Sequence, residues 1–185
     1  MNDVYQSVKV NDYYGTGPSF PLPGLSPAKI VADGVILNLV GKGDKTYHTE
    51  LNCFGLYYYK QSMVEYTPQQ GNPVNAITES ELFCRLDEFL DSVAEFYKRL
   101  GYWGIVRLQV SLDKIRGCAL EPYGSDEGLL FSLDPSVLHH EEILAGILTT
   151  EKPRLIFRAA QATRWAFGKD LTIQVLDAYY KQYKR

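Results

Sequence analysis

Four residues near the C-terminus have the types and spacing of a contact surface. On a helix over 153–167, Arg154, Arg158 and Trp165 fall on one side together with Gln161, and Arg164 and Phe157 lie on its flank. Leu155, Ile156, Ala159, Ala160, Ala162, Thr163, Ala166 and Phe167 form the opposite, apolar side. Trp and Arg are favoured anchors of interfaces, and both can stack on nucleic-acid bases. The charge distribution points to the same segment. Residues 151–185 hold eight Lys/Arg against three Asp/Glu, a net of +5, in a chain whose overall charge is −3, so residues 1–150 carry −8. The expected chemistry is contact between Arg154, Arg158, Arg164 and Trp165 and an acidic partner. The acidic remainder of the chain repels a polyanion, so a protein or a second copy of the chain is expected ahead of nucleic acid. The competing reading is a helix covered on both sides, with Trp165 under a neighbouring segment and the Arg stems packed over it.

Other residues with chemical potential have simpler readings. Gly41-Lys42-Gly43-Asp44-Lys45-Thr46 lacks the glycine that precedes Lys-Thr in a phosphate loop, and β-prone text follows it, so a hairpin turn is expected. In His139-His140-Glu141-Glu142 the adjacent histidines point to opposite faces of a strand, which argues against a shared metal ion. Exposed loop or edge-strand residues are expected there. His48 stands alone. Cys53, Cys84 and Cys118 have neither zinc nor disulfide spacing. No G-x-S-x-G or S-x-x-K occurs, and nothing local lowers the pKa of Cys118. Tyr57, Tyr58 and Tyr59 could form a base-stacking platform, but the surrounding charge is acidic and cross-strand packing accounts for them. No cofactor and no metal are expected. The expectation is a non-catalytic binding or regulatory module. The alternative is a small-molecule enzyme whose site is assembled from dispersed residues, marked by a deep pocket with converging polar groups.

The elements that must position these residues can be read from periodicity and punctuation. Residues 1–28 are rich in turn chemistry, including Gly15, Gly17, Pro18, Pro21, Pro23 and Gly24, and read as an extended lead-in. Residues 29–185 read as a single α+β domain. Strands are expected at 29–32 and 35–40 around Asp33-Gly34, at 46–53, and at 56–66, with a loop over 67–76. Thr78 and Glu81 form a capping-box pattern, and Gly101 supplies a stop. Leu82, Leu86, Phe89, Leu90, Val93, Phe96, Tyr97 and Leu100 recur at helical spacing between them, which predicts a helix over 79–100. Glu88, Asp91, Glu95 and Arg99 are placed on its other side. Val106, Leu108, Val110 and Leu112 alternate with polar residues as a half-buried strand does. Further strands are expected at 117–120, 128–133 and 143–148. Pro153 suits the first turn of the next helix, Gly168 its stop, and Asp170 a last helix to 183, although Leu171, Ile173 and Val175 alternate like a strand. The fold class is α+β: a largely antiparallel sheet with the long helix and the C-terminal helices packed on it.

Composition sets the outer bounds. With 185 residues, 45% apolar and 22% charged, the chain is an ordinary globular sequence, distinguished by its 14 Tyr. The N-terminus lacks an apolar core of the secretory type, and no apolar run approaches the roughly 18 residues that span a bilayer. Sparse, odd-numbered cysteines fit reduced thiols, so a cytoplasmic protein without membrane contact is expected.

Several local patterns together resemble a known family. Asp33-Gly34-Val35 is followed by Leu51-Asn52-Cys53-Phe54-Gly55-Leu56, by a long helix into Leu100-Gly101, by a β-run through Leu112 to Gly117, and by Trp165-Ala166-Phe167-Gly168. In that order they resemble the C-terminal region of bacterial proteins that carry an N-terminal Schlafen-like, Alba-type DNA-binding domain. The resemblance covers most of 29–168. The family's N-terminal domain has no counterpart here, so no catalytic or DNA-binding residue transfers. What the resemblance implies is an accessory module attached to a nucleic-acid-related protein.

Overall fold

The computed structural model describes residues 10–11, 18–20, 29–40, 46–62, 64–66, 74–123 and 128–183. The turn expected at 41–44 and most of the loop expected at 67–76 lie outside the described residues, as does most of the lead-in. Within 1–28 the described residues form an antiparallel pair, β1 (Val10–Asn11) with β2 (Pro18–Phe20). The fold is α+β.

The long helix α1 runs over Glu79–Leu100, with the bounds its sequence predicts. The Thr78 Oγ1 accepts the Glu81 N–H at 3.2 Å, which satisfies one of the orphan donors of the first turn. Gly101 takes a positive φ of 67°. Its N–H reaches the Lys98 carbonyl, that of Tyr102 reaches Tyr97, and the Tyr97 and Tyr102 rings lie 5.7 Å apart. That is a Schellman stop with its accompanying side-chain contact.

The chain divides into two compact units. One comprises Met1–Ser62, Asp87–Ile105 and Leu144–Thr149. Its four-stranded antiparallel sheet has the sequential order β3 (Lys29–Val31), β4 (Gly34–Val40), β5 (Thr46–Asn52), β6 (Tyr57–Gln61). The first hairpin turns on Ala32 and Asp33, so Gly34 opens β4 rather than sitting in the turn. A Cβ at Gly34 would lie 2.0 Å from the Leu51 carbonyl oxygen, so only glycine allows this strand approach. At the hairpin from β5 to β6 the Asn52 Oδ1 accepts the Phe54 and Leu56 N–H groups at 3.1 Å each. The three tyrosines of β6 divide between faces. Tyr57 is buried, edge-on to Phe89 and Phe96 of α1, with its hydroxyl 2.6 Å from Ser92 Oγ. Tyr58 is exposed beside His48. The strand expected over 56–66 ends at Gln61, because Ser62 Oγ accepts the Thr46 N–H at 2.7 Å and closes the sheet there.

The other unit comprises Met63–Leu86, Val106–Ile143 and Thr150–Arg185. It holds β7 (Val64–Tyr66), β8 (Val74–Thr78), β9 (Ile105–Asp113), β10 (Ala119–Glu121), β11 (Leu130–Phe131) and β12 (Ser136–Leu144), with Ile105 and Leu144 at its boundary. One sheet has the order β11-β10-β8-β7, with β8 and β10 parallel and its other two pairings antiparallel. A second sheet pairs β9 with β12. Helices α2 (Leu148–Ala166) and α3 (Ile173–Tyr183) follow. Ala166 and Phe167 pack into a core with Ile115, Cys118, Leu120 and Val137.

Two expectations are corrected along this part of the chain. The strand placed at 143–148 lies earlier, at 136–144, and a 3₁₀ turn over Ala145–Ile147 leads straight into α2. Pro153 is therefore inside the helix rather than in its first turn. It removes only one of the first backbone bonds, at an exposed position. The last helix expected to reach 183 is present as α3: Leu176 and Tyr179 are buried at helical spacing and Ile173 is exposed, so the alternation of Leu171, Ile173 and Val175 does not make a strand.

Candidate functional site

Helix α2 presents the outward face that its sequence predicts. Leu155, Ile156, Ala159, Ala160, Thr163 and Ala166 are buried, and Arg154, Phe157, Arg158, Gln161 and Trp165 are exposed or half-buried. Gly168, with φ 74°, ends the helix in a second Schellman arrangement, its N–H on the Trp165 carbonyl and that of Lys169 on Arg164. This stop brings Asp170 back beneath the last turn.

The stop separates two neighbours that the sequence grouped together. Trp165 is 58% exposed, and its Nε1–H donates to Asp170 Oδ1 at 2.6 Å. The ring is outside the core but held in one orientation. Arg164 departs from the expected surface set. It is 5% exposed and forks onto Glu79, Nε to Oε1 at 2.7 Å and Nη2 to Oε2 at 3.1 Å. Its Nη1 donates to the Asp170 carbonyl at 2.9 Å. The carboxylate of Glu79, itself fully buried, also accepts the Tyr123 N–H at 2.8 Å. Arg164 is thus a structural clamp. A residue about 100° from the exposed stripe turns inward when a buried carboxylate waits there.

The two remaining arginines are not free cations. Arg154 is paired with both Glu141 and Glu151, and Arg158 Nη1 donates to Glu141 Oε1 at 3.2 Å. The bonds to Glu151 and Glu141 hold the Arg154 guanidinium above its ordinary pKa. Glu141 comes from β12, so the segment His139-His140-Glu141-Glu142 is a strand whose members alternate. His139 and Glu141 turn inward, toward the arginines. His140 and Glu142 face out, where Glu142 pairs with Arg107 of β9 at 2.9 Å. Two carboxylates set against two guanidiniums leave this part of the face close to neutral, despite the +5 of residues 151–185.

His139 Nε2 and Glu141 Oε2 are buried, 4.0 Å apart, and neither has a hydrogen-bond partner. Burial lowers the His139 pKa below the ordinary 6.5, with Glu141 opposing and His140 and Arg158 assisting. The unfolded chain therefore takes up this proton before the folded one does. Stability is full above pH 6.5 and falls as the pH drops from 6.5 through the lowered folded value. Thermal unfolding of His139→Gln should lose less stability than the wild type on acidification across that window. Parallel pH profiles for the two proteins would show that the imidazole is not the group responsible.

Nucleophilic chemistry gains no support from the thiol in the core. Burial pushes Cys118 above its ordinary pKa, and its Sγ lies 3.5 Å from the Lys114 carbonyl. Among the described residues no three His, Cys, Asp or Glu side chains come together to hold a metal ion. No helix of the described residues is long and apolar enough to cross a membrane.

The Glu79–Arg164 pair is what sequence reasoning missed. Its partners are 85 residues apart, and neither carries a local signal for the other. Glu141 was also overlooked, since its inward direction depends on the register of a strand that begins earlier than expected. The stretches that carry the family resemblance coincide largely with turns and helix stops: Ala32 to Gly34, Asn52 to Leu56, Gly101 and Gly168. No family model, no curated protein and no solved structure matches this chain.

Proposed function

We propose that this chain is a non-catalytic binding module of a cytoplasmic protein, in keeping with the accessory role that the Schlafen-like resemblance implies, and that the outer face of α2 docks a protein partner. Trp165 carries the reading. Its ring is exposed on a rigid helix and oriented by the bond to Asp170, so little ordering entropy opposes its insertion into a partner's apolar pocket. Arg158 supplies a polar contact beside it, and Glu141 limits the net charge. That local neutrality favours a protein over a polyanion, whose binding draws on uncompensated Lys and Arg.

The test uses the full chain, wild type and Trp165→Ala, each confirmed folded by circular dichroism. Partners co-purified from the native cell are compared, and binding of a duplex and a single-stranded oligonucleotide is titrated with salt. The expected result is loss of a protein partner with Trp165→Ala, by about thirtyfold in affinity or more, and negligible oligonucleotide binding. An unchanged partner set would overturn the proposal. So would steeply salt-dependent oligonucleotide binding by the wild type.

A further inference from the structure

Strand β9 offers an open edge. Among the described residues it pairs with β12 alone. At the start of that pair the Ala145 N–H donates to the Gly104 carbonyl at 2.9 Å. Backbone polar groups alternate sides along a strand, so those of Arg107, Gln109, Ser111 and Asp113 point away from β12. A nine-residue strand with such a row of donors and acceptors is a template for another strand.

The side chains along this edge are self-complementary about Val110. Arg107 and Asp113 are equidistant from it and opposite in charge. Gln109 and Ser111 are the next symmetric pair, and all four are exposed. On the other face Leu108 and Leu112 are symmetric about the same residue. Lys114, with φ 59°, ends the strand just beyond.

We propose that two copies of this chain associate through β9, antiparallel about a two-fold axis at Val110. In that register Arg107 lies opposite Asp113 of the partner subunit and Gln109 opposite Ser111 of the partner subunit, as hydrogen-bonded pairs. Leu108 faces Leu112 of the partner subunit, and the two Val110 residues meet on the axis. Sliding the register by two residues in either direction removes both charge pairs, so the complementarity selects one alignment. A foreign strand would need the same pattern by chance, whereas a second copy has it by symmetry. Arg107 keeps guanidinium donors beyond the one on Glu142.

Sedimentation velocity over rising concentration tests this. The wild type should form a dimer. Asp113→Arg, which sets like charges opposite each other twice, should weaken it by roughly tenfold, and adding Arg107→Asp should restore it. Gln109→Pro removes an N–H from the open edge without touching the bonds to β12, and should abolish the dimer. If that variant does not fold, the charge pair still decides. Trp165→Ala should leave the dimer intact, which separates this interface from the face of α2. A wild type that stays monomeric overturns the proposal, as does a dimer indifferent to the β9 substitutions, unrescued by the charge swap, or lost with Trp165→Ala.

Discussion

Removing the Glu79 carboxylate should unfold this protein under conditions where the wild type stays folded. Glu79→Ala leaves the guanidinium of Arg164 buried without its counter-charge and frees the Tyr123 N–H as well. Breaking one side of a buried pair is expected to cost about 3–5 kcal/mol. Arg164→Ala should cost about as much, since it strands the carboxylate of Glu79 in the same place. The double replacement Glu79→Leu/Arg164→Met removes both charges and keeps volume, so it should be less damaging than either single change. Chemical denaturation of the four proteins compares these losses. Additive losses would mean that the two side chains act independently and that the clamp between the start of α1 and the end of α2 is not the stabilising feature.

Phe83→Ala should have an effect of similar size. Phe83 is fully buried, edge-on to Tyr179 at 5.1 Å and Tyr123 at 6.3 Å. Its loss opens a cavity beside these two rings and is expected to cost about 3–5 kcal/mol. Leu82→Ala, one residue earlier and only half-buried, should cost clearly less. The comparison is informative because helical periodicity places Leu82 on the buried stripe and passes over Phe83. Equal midpoints for Phe83→Ala and the wild type would contradict the burial of this ring.

What could be read from the sequence was local. Helix α1 has the predicted limits because a cap, a stop and their hydrogen bonds all lie within a few residues of each end: Thr78 with Glu81, and Gly101 with Lys98. The outward face of α2 was legible for the same reason, since 3.6-residue periodicity is a property of consecutive side chains. So was the fold class, from the order of strand-like and helix-like segments. What only the tertiary structure decided depends on residues far apart in the chain. Asp87, Glu88 and Ser92 of α1 are buried although they sit off the apolar stripe, and Ser92 meets the hydroxyl of Tyr57 from β6 at 2.6 Å. Leu171, Ile173 and Val175 alternate like a strand, yet helical burial of Leu176 and Tyr179 outweighs that preference. The sign of the contact surface was decided in the same way. Counting charges makes residues 151–185 basic. In the fold, Glu141 crosses from β12 to meet Arg154 and Arg158, and Glu79 takes Arg164 into the interior. Net charge is a sum over sequence, but the field at a surface depends on which opposite charges lie within a few ångströms, and only folding brings those together.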